Sequence, residues 1–528
     1  MASPGAQSED SIRTLEVVGS LCLATDLAMG FPLEHGFQSA VVGMRLADRL
    51  GVSDDLRRDT LYACLLFYVG CTADSEAAAR RFAPGSLLNH FQPVIFGSPG
   101  QLARGVTRAL ADPQHPAPVR ALEGVLRLPA AARGHRLHVV AMCEVAEMLA
   151  SRLGAPPDVS AMFADFTARW DGKGSSGAKG QDLPVALRVA HVARDASFQS
   201  LLRGSEGAVA VIRERSGGAF DPDVVAALTG EMLSPASAPG AHDELLASEP
   251  KPWLMLRGSG VDQALGGIGD FADLVSSCFT GHSAAVADLS ARAAALLGLS
   301  AEDVVAVGRA GRVHDIGRVA VETHAWNRSE ELTVDQWERM RMHAHYTERV
   351  LASSAFLSRL GSIASAHHER IDGTGYHRGV EGPSLGPSDR VLAAADTFCT
   401  ACEPRPHRSA LPPEQASARL AGLAAEGRLD ADAVTAVLKA AGQTVPHIPR
   451  PAGLTDREAQ VVGLLARGMQ TKQIAHRLGI STKTADRHIQ NAYAKMRVST
   501  RAAATLFAMQ HGLGVWGELP MADAIHPT

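Results

Sequence analysis

Residues 281–318 read GHSAAVADLSARAAALLGLSAEDVVAVGRAGRVHDIGR, and their periodicity decides the fold. Val286, Leu289, Ala293 and Leu296 recur at the spacing of one helix face. Gly298 then stops that helix, and Ser300 with Asp303 three residues on is the start signal of the next. His282 opens the first helix, and the pair His314-Asp315 follows the second.

The same pattern occurs once before, in EHGFQSAVVGMRLADRLGVSDDLRRDTLYACLLFYVGC from Glu34. His35 pairs with His282, Leu50-Gly51 with Leu297-Gly298, Ser53 with Ser300 and Gly70 with Gly317, at constant offset. RWDGKG at Arg169 later matches RIDGTG at Arg370. A repeat of this length implies a duplicated helical domain rather than a solenoid. The copies differ where chemistry is expected. Phe67-Tyr68 stand opposite His314-Asp315, Phe166-Thr167 opposite His367-His368, and Arg194 opposite Asp396. A scaffold shared by both copies does not need those imidazoles and carboxylates for packing.

A chain of 528 residues exceeds one core, so three or four domains are expected. Its 46% apolar and 20% charged content is that of a soluble globular protein. The net charge of −5 is uneven: Gly453 to Gly512 hold nine Lys/Arg and three Asp/Glu, a balance of +6, which leaves −11 elsewhere. A basic terminal module on an acidic chain points to nucleic acid. Seven scattered cysteines read as reduced thiols, the opening MASPGAQSEDS shows no signal peptide, and the longest apolar run, Leu61 to Cys71, is too short to span a bilayer. A cytoplasmic protein without a membrane partner is expected.

In the second copy the ligand-type residues are His282, His314, Asp315, His343, His367, His368 and Asp396. Imidazole and carboxylate are the usual ligands of zinc, manganese and iron. Adjacent residues on a helix diverge by about 100°, so a His-Asp or His-His pair serves two metals, or one metal from two directions. Two such ions polarise a phosphate and acidify a water. The glycine turn after HHERIDGTGY, from His367 to Tyr376, would admit a substrate.

Val261 to Gly442 resembles the HD-GYP domain, a helical phosphohydrolase family associated with cleavage of cyclic di-GMP. The resemblance rests on His282, HDIGR from His314, WNRSEELT, MRMHAHYTERVL with His343, HHERIDGTGY, and RVLAAADTF with Asp396, in order. It implies two divalent cations, manganese or iron, held by His282, His314, Asp315, His343, His367, His368 and Asp396, with Asp315 bridging. It further implies attack on the phosphodiester by metal-bound hydroxide. Asp315 and Arg318 would be catalytic, and Arg318, Gly373, Gly375 and Tyr376 would meet the substrate. Arg318 replaces the family's lysine and His377 its proline. Cys278 stands where three-metal members have glutamate. Asp10 to Ser234 resembles the same fold without the ligands, as a structural, dimerising or sensory half.

After the proline-bearing segment 443–452, expected to be a stiff exposed linker, Gly453 to Leu513 reads as four short helices. Thr455 with Glu458 forms a capping box, Gly468 and Gly479 interrupt, and Ser481 caps a third helix. That helix carries Lys483, Arg487 and Gln490 outward, side chains suited to base edges, while Thr471, Lys472 and Thr484 are placed for phosphate. LTDRE, TKQIA and LGISTKTADRHI make the region similar to the LuxR-type helix-turn-helix. That likeness implies double-stranded DNA as partner and a homodimer through Thr500 to His511.

The expectation is therefore an all-α protein: a degenerate HD-type domain at 10–234, a metal-binding one at 261–442, and a DNA-binding domain at 453–513. Its activity would be phosphodiester hydrolysis, with a cyclic dinucleotide or another phosphodiester as substrate. The alternative is a transcription factor that senses nucleotide or metal without turnover.

Overall fold

Helix boundaries follow the start and stop residues. The computed structural model describes residues 10–72, 89–90, 92–111, 115–174, 176–234 and 240–513. The opening nine residues, part of the stretch read for a signal peptide, lie outside these. The helices used below are α1 Thr14–Met29, α2 His35–Leu50, α3 Asp54–Leu66, α4 Val185–Glu214, α5 His282–Leu297, α6 Ala301–Val313 and α7 His343–Leu351. They continue with α8 Pro387–Cys402, α9 Ala431–Ala440, α10 Asp456–Ala466, α11 Thr471–Arg477, α12 Thr482–Met496 and α13 Arg501–Gln510. The protein is all-α. Among the described residues its only sheet is a ribbon of β1 Ser11–Arg13 with β2 Met255–Arg257, antiparallel with Ile12 opposite Leu256.

Two of the paired positions take the same local role. Gly51 ends α2 at φ 64°, and Gly298 stands in the same left-handed conformation, φ 80°, after α5. The Ser53 hydroxyl accepts from the Leu56 amide at the start of α3, and Ser300 accepts from Asp303 at the start of α6.

The chain packs as two units, residues 1–281 with 315–359, and residues 282–314 with 360–528. In the first, α2, α3 and α4 surround a core that includes Phe37, Leu46, Leu61 and Tyr62. The turn Ile316–Ala320 lies against α7. A Cβ on Gly317 would stand 2.0 Å from the His343 carbonyl oxygen, so only glycine permits this approach, which the Gly317 amide seals by donating to Thr347 Oγ1 at 3.0 Å.

In the second unit α5 packs along α6, α8 and α9. Helices α10 to α13 close a separate small core of Val461, Leu465, Ile474, Ala485, Ile489 and Met496. The segment 443–452 departs from the exposed spacer expected. Ile448 is buried, and Arg450 ion-pairs with Asp432 at 2.6 Å and Asp456 at 2.7 Å. Its two carboxylate partners hold the segment against helices on either side. Among the described residues no helix is long and apolar enough to cross a membrane.

Candidate metal centre and nucleic-acid interface

Asp396, on α8, is the focus of the second unit's ligand group. Its carboxylate lies 3.3 Å from His282 Nε2, 3.9 Å from His314 Nε2 and 3.6 Å from His368 Nδ1. His367 stacks edge-on to His314, ring centres 4.8 Å apart, and lies against His368 at 4.1 Å. Asp396, His282, His314 and His367 are all at most 1% exposed. Burial by itself would raise the Asp396 carboxyl. A hydrogen bond from a protonated His282 Nε2 and the fields of His368, His367 and His282 as imidazolium outweigh it and hold the group well below the ordinary carboxylate range, a part that a cation would take where the imidazoles are neutral.

The donor set fits a metal. His314 Nδ1 donates to the Gly311 carbonyl at 2.8 Å, and His367 Nδ1 donates to Ala364 at 2.6 Å. A carbonyl only accepts, so each Nδ1 carries the proton and each Nε2 the lone pair. A lone pair and a carboxylate oxygen at 3.3–3.9 Å repel unless a proton or cation lies between them. Ligand bonds of about 2.0–2.2 Å place the donor atoms of one ion roughly 3–3.5 Å apart.

The first unit holds the remaining ligand-type residues. His343 Nε2 stands 3.4 Å from Asp315 Oδ1, and its Nδ1 donates to the Met340 carbonyl at 2.6 Å. Arg318 pairs with Asp315 at 2.5 Å, and its guanidinium lies 4.1 Å from the Phe279 ring centre and 5.6 Å from that of Trp326. Arg318, expected to grip phosphate, is 4% exposed and engaged by Asp315. A guanidinium stacks on such aromatic faces better than the ammonium it replaces.

The turn after His368 is built by a residue that sequence reasoning passed over. Glu369 is buried and accepts from the amides of Arg378 at 3.2 Å and Val380 at 3.3 Å. Gly375 rests on it, since an added Cβ would fall 2.6 Å from the Glu369 Cα. Gly373 is left-handed, φ 73°. Both glycines are thus required by the turn itself. The Tyr376 ring lies 4.2 Å from that of His368, between centres. Glu403 was also missed. It receives His282 Nδ1, and it directly follows the last residue of the helix that carries Asp396.

In the terminal module the capping box reads as written: Thr455 Oγ1 accepts from Glu458, whose carboxylate accepts from the Thr455 amide at 2.8 Å. Ser481 accepts from Thr484 at the start of α12. The α12 residues Ala485, Ile489, Ala492 and Met496 face the core, which turns Lys483, Arg487 and Gln490 outward and exposed. None of these three makes a hydrogen bond or ion pair among the described residues. Lys472 is exposed on α11, and Thr471 is half-buried. The Thr484 hydroxyl lies 2.7 Å from that of Ser481.

Family comparison places an HD domain at residues 269–433 and a domain of the bacterial regulatory proteins, luxR family, at 452–508. A 3'3'-cGAMP-specific phosphodiesterase of Vibrio cholerae is 26% identical over 76% of this chain and 89% of its own. A cyclic di-GMP phosphodiesterase response regulator of Xanthomonas campestris is 33% identical over 33% of this chain and 46% of its own. A cyclic di-GMP phosphodiesterase of Thermotoga maritima is 34% identical over 26% and 37%. The chain thus spans less than half of the last two. A crystal structure of a cyclic GMP-AMP specific phosphodiesterase of V. cholerae superimposes with TM-score 0.57 and 21% identity, covering 82% of this chain and 99% of that one, a likeness of fold.

Proposed function

From a chain that joins an HD domain to a LuxR-family regulatory domain, we propose a DNA-binding regulator whose central domain is a metal-dependent phosphodiesterase acting on a cyclic dinucleotide. The observation that carries this reading is the convergence of His282, His314 and His368 on the buried carboxylate of Asp396. His367 packs beside them, and in the first unit Asp315 and His343 form a second pair of ligand-type groups, 3.4 Å apart. Two divalent cations, manganese or iron, suit that donor set. When bound they supply Lewis acidity to the phosphate and lower the pKa of a water.

The protein's own groups have separate tasks. The carbonyls of Gly311, Met340 and Ala364 fix three imidazoles in one tautomer. Arg318 holds Asp315 in place and offsets its charge. Tyr376, against His368, supplies an aromatic face at the turn for a base or sugar. In the first module Arg194 stands opposite Asp396 in the repeat and is buried, its guanidinium 4.2 Å from the Tyr68 ring centre. That supports reading the module as a metal-free half. Lys483, Arg487 and Gln490 read bases, with Thr471, Lys472 and Thr484 on phosphate. The protein acts in the cytoplasm as a homodimer on paired half-sites.

The test is turnover. Chain loaded with manganese or iron should linearise cyclic di-GMP or 3'3'-cGAMP, and Asp396→Ala should neither bind the metals nor turn over. A metal-loaded wild type inert toward both nucleotides would refute the enzymatic reading. The engagement of Arg318 by Asp315 and aromatic rings favours a second reading, a sensor that binds without cleaving. Binding without turnover would select it.

A further inference from the structure

Three of the imidazoles solve the same problem in the same way. His314, His343 and His367 each follow a helical turn and donate Nδ1–H to the carbonyl three residues earlier, Gly311, Met340 and Ala364. His282, the first residue of α5 after the left-handed Gly281 (φ 80°), is held differently. Its Nδ1 meets instead a side chain from the far end of α8: both oxygens of Glu403, at 3.0 and 2.9 Å. Arg405 holds that carboxylate from the other side at 2.8 Å. The His282 side chain is fully buried and that of Glu403 22% exposed.

We infer that Glu403 is a positioning residue of the metal site, orienting His282 so that its Nε2 lone pair faces the cation shared with Asp396. Only a carboxylate or carbonyl at this point fixes the Nδ1–H tautomer, and a charged acceptor also strengthens the imidazole as a donor to metal. Asp396 lies on α8 and Glu403 is the extended residue that directly follows its last turn, so one helix and its exit set both the ligand and the group that aims its neighbour. Arg405 keeps Glu403 in register and balances its charge.

The inference rests on the metal reading above, and the experiment separates the two. Full-length wild type, Glu403→Gln and Glu403→Ala would be titrated with manganese against a chelating indicator, with metal per chain measured separately. Glu403→Ala should weaken the affinity about 10–100-fold while the stoichiometry stays that of wild type. Glu403→Gln, which keeps a neutral acceptor, should recover part of the loss. Unfolding of the metal-free proteins, followed in chelator, should coincide for wild type and Glu403→Gln. Equal affinity in all three proteins overturns the inference. So does loss of one metal equivalent, which would make Glu403 a ligand. A wild type that binds no manganese overturns instead the metal reading on which it stands.

Discussion

A buried charge is tolerated only where its partners are fixed, and two aspartates here show opposite outcomes. Asp396 is held ionised by imidazoles on three sides, so Asp396→Asn should abolish tight metal binding while the helix that carries it still forms. Metal analysis of the purified variant decides this, and wild-type stoichiometry would contradict it. Asp26, on α1, is buried and accepts from the Gly36 amide at 2.9 and 3.1 Å. Burial pushes its carboxyl up to about 7, against the opposing field of Arg194. The sign follows directly. Between about 4 and 7 the unfolded chain has lost this proton and the folded chain keeps it, so rising pH favours unfolding. Asp26 should therefore cost stability progressively across that window, on the order of 4 kcal/mol when complete. Denaturant unfolding of wild type and Asp26→Asn at pH 4, 5.5 and 7.5 should show the gap moving in favour of the variant as pH rises. Parallel curves would refute the assignment.

At the scale of elements, α8 and the turn before α7 do the positioning. Gly317 has no room for a methyl group, so Gly317→Ala should cost at least about 1–3 kcal/mol and misplace Asp315 and Arg318 two residues to one side and one to the other. Thermal unfolding with a parallel metal titration tests both effects, and an unperturbed variant would show that the backbone gives way cheaply. Much of this layer was legible in the amino-acid order. The stops at Gly51 and Gly298, the caps at Ser53, Ser300 and Ser481, and the box of Thr455 with Glu458 are local hydrogen-bond events, written within four residues. The partners of His282 and of the turn at 373–380 were not. Glu403 is 121 residues from His282, and Glu369 reads on its own as one acidic residue in a polar loop. Arg318 was legible as a cation but not as one buried between Phe279 and Trp326, because periodicity carries no information on which aromatic rings a loop will meet.

At the scale of the whole molecule, the question is how a phosphodiesterase domain would speak to a DNA-binding one. Within the second unit one link, besides the Arg450 ion pairs, is a buried side chain. Arg390 sits on α8 six residues before Asp396 and is buried. Its guanidinium donates to the carbonyls of Leu385 at 2.9 Å, Gly382 at 2.6 Å and Gly512 at 3.0 Å, and pairs with Asp430 at 2.9 Å. Gly512 lies just beyond α13, the last helix of the DNA-binding module. One helix therefore carries both a residue of the candidate metal centre and the clamp on that module. If the clamp transmits the position of α8, a ligand that favours one position would shift DNA affinity, and by thermodynamic reciprocity operator DNA would shift ligand affinity by the same factor. Arg390→Ala should uncouple the two. Fluorescence anisotropy with an operator fragment should give a wild-type affinity that changes about 5–150-fold on loading metal and cyclic dinucleotide, the usual range of such coupling. In Arg390→Ala that ratio should fall toward one. Arg487→Ala should instead weaken specific DNA binding by about 1–3 kcal/mol whatever occupies the metal site, and leave the coupling ratio intact. A wild-type DNA affinity indifferent to both ligands would mean that the two domains share a chain without sharing a signal, and that the clamp is only packing.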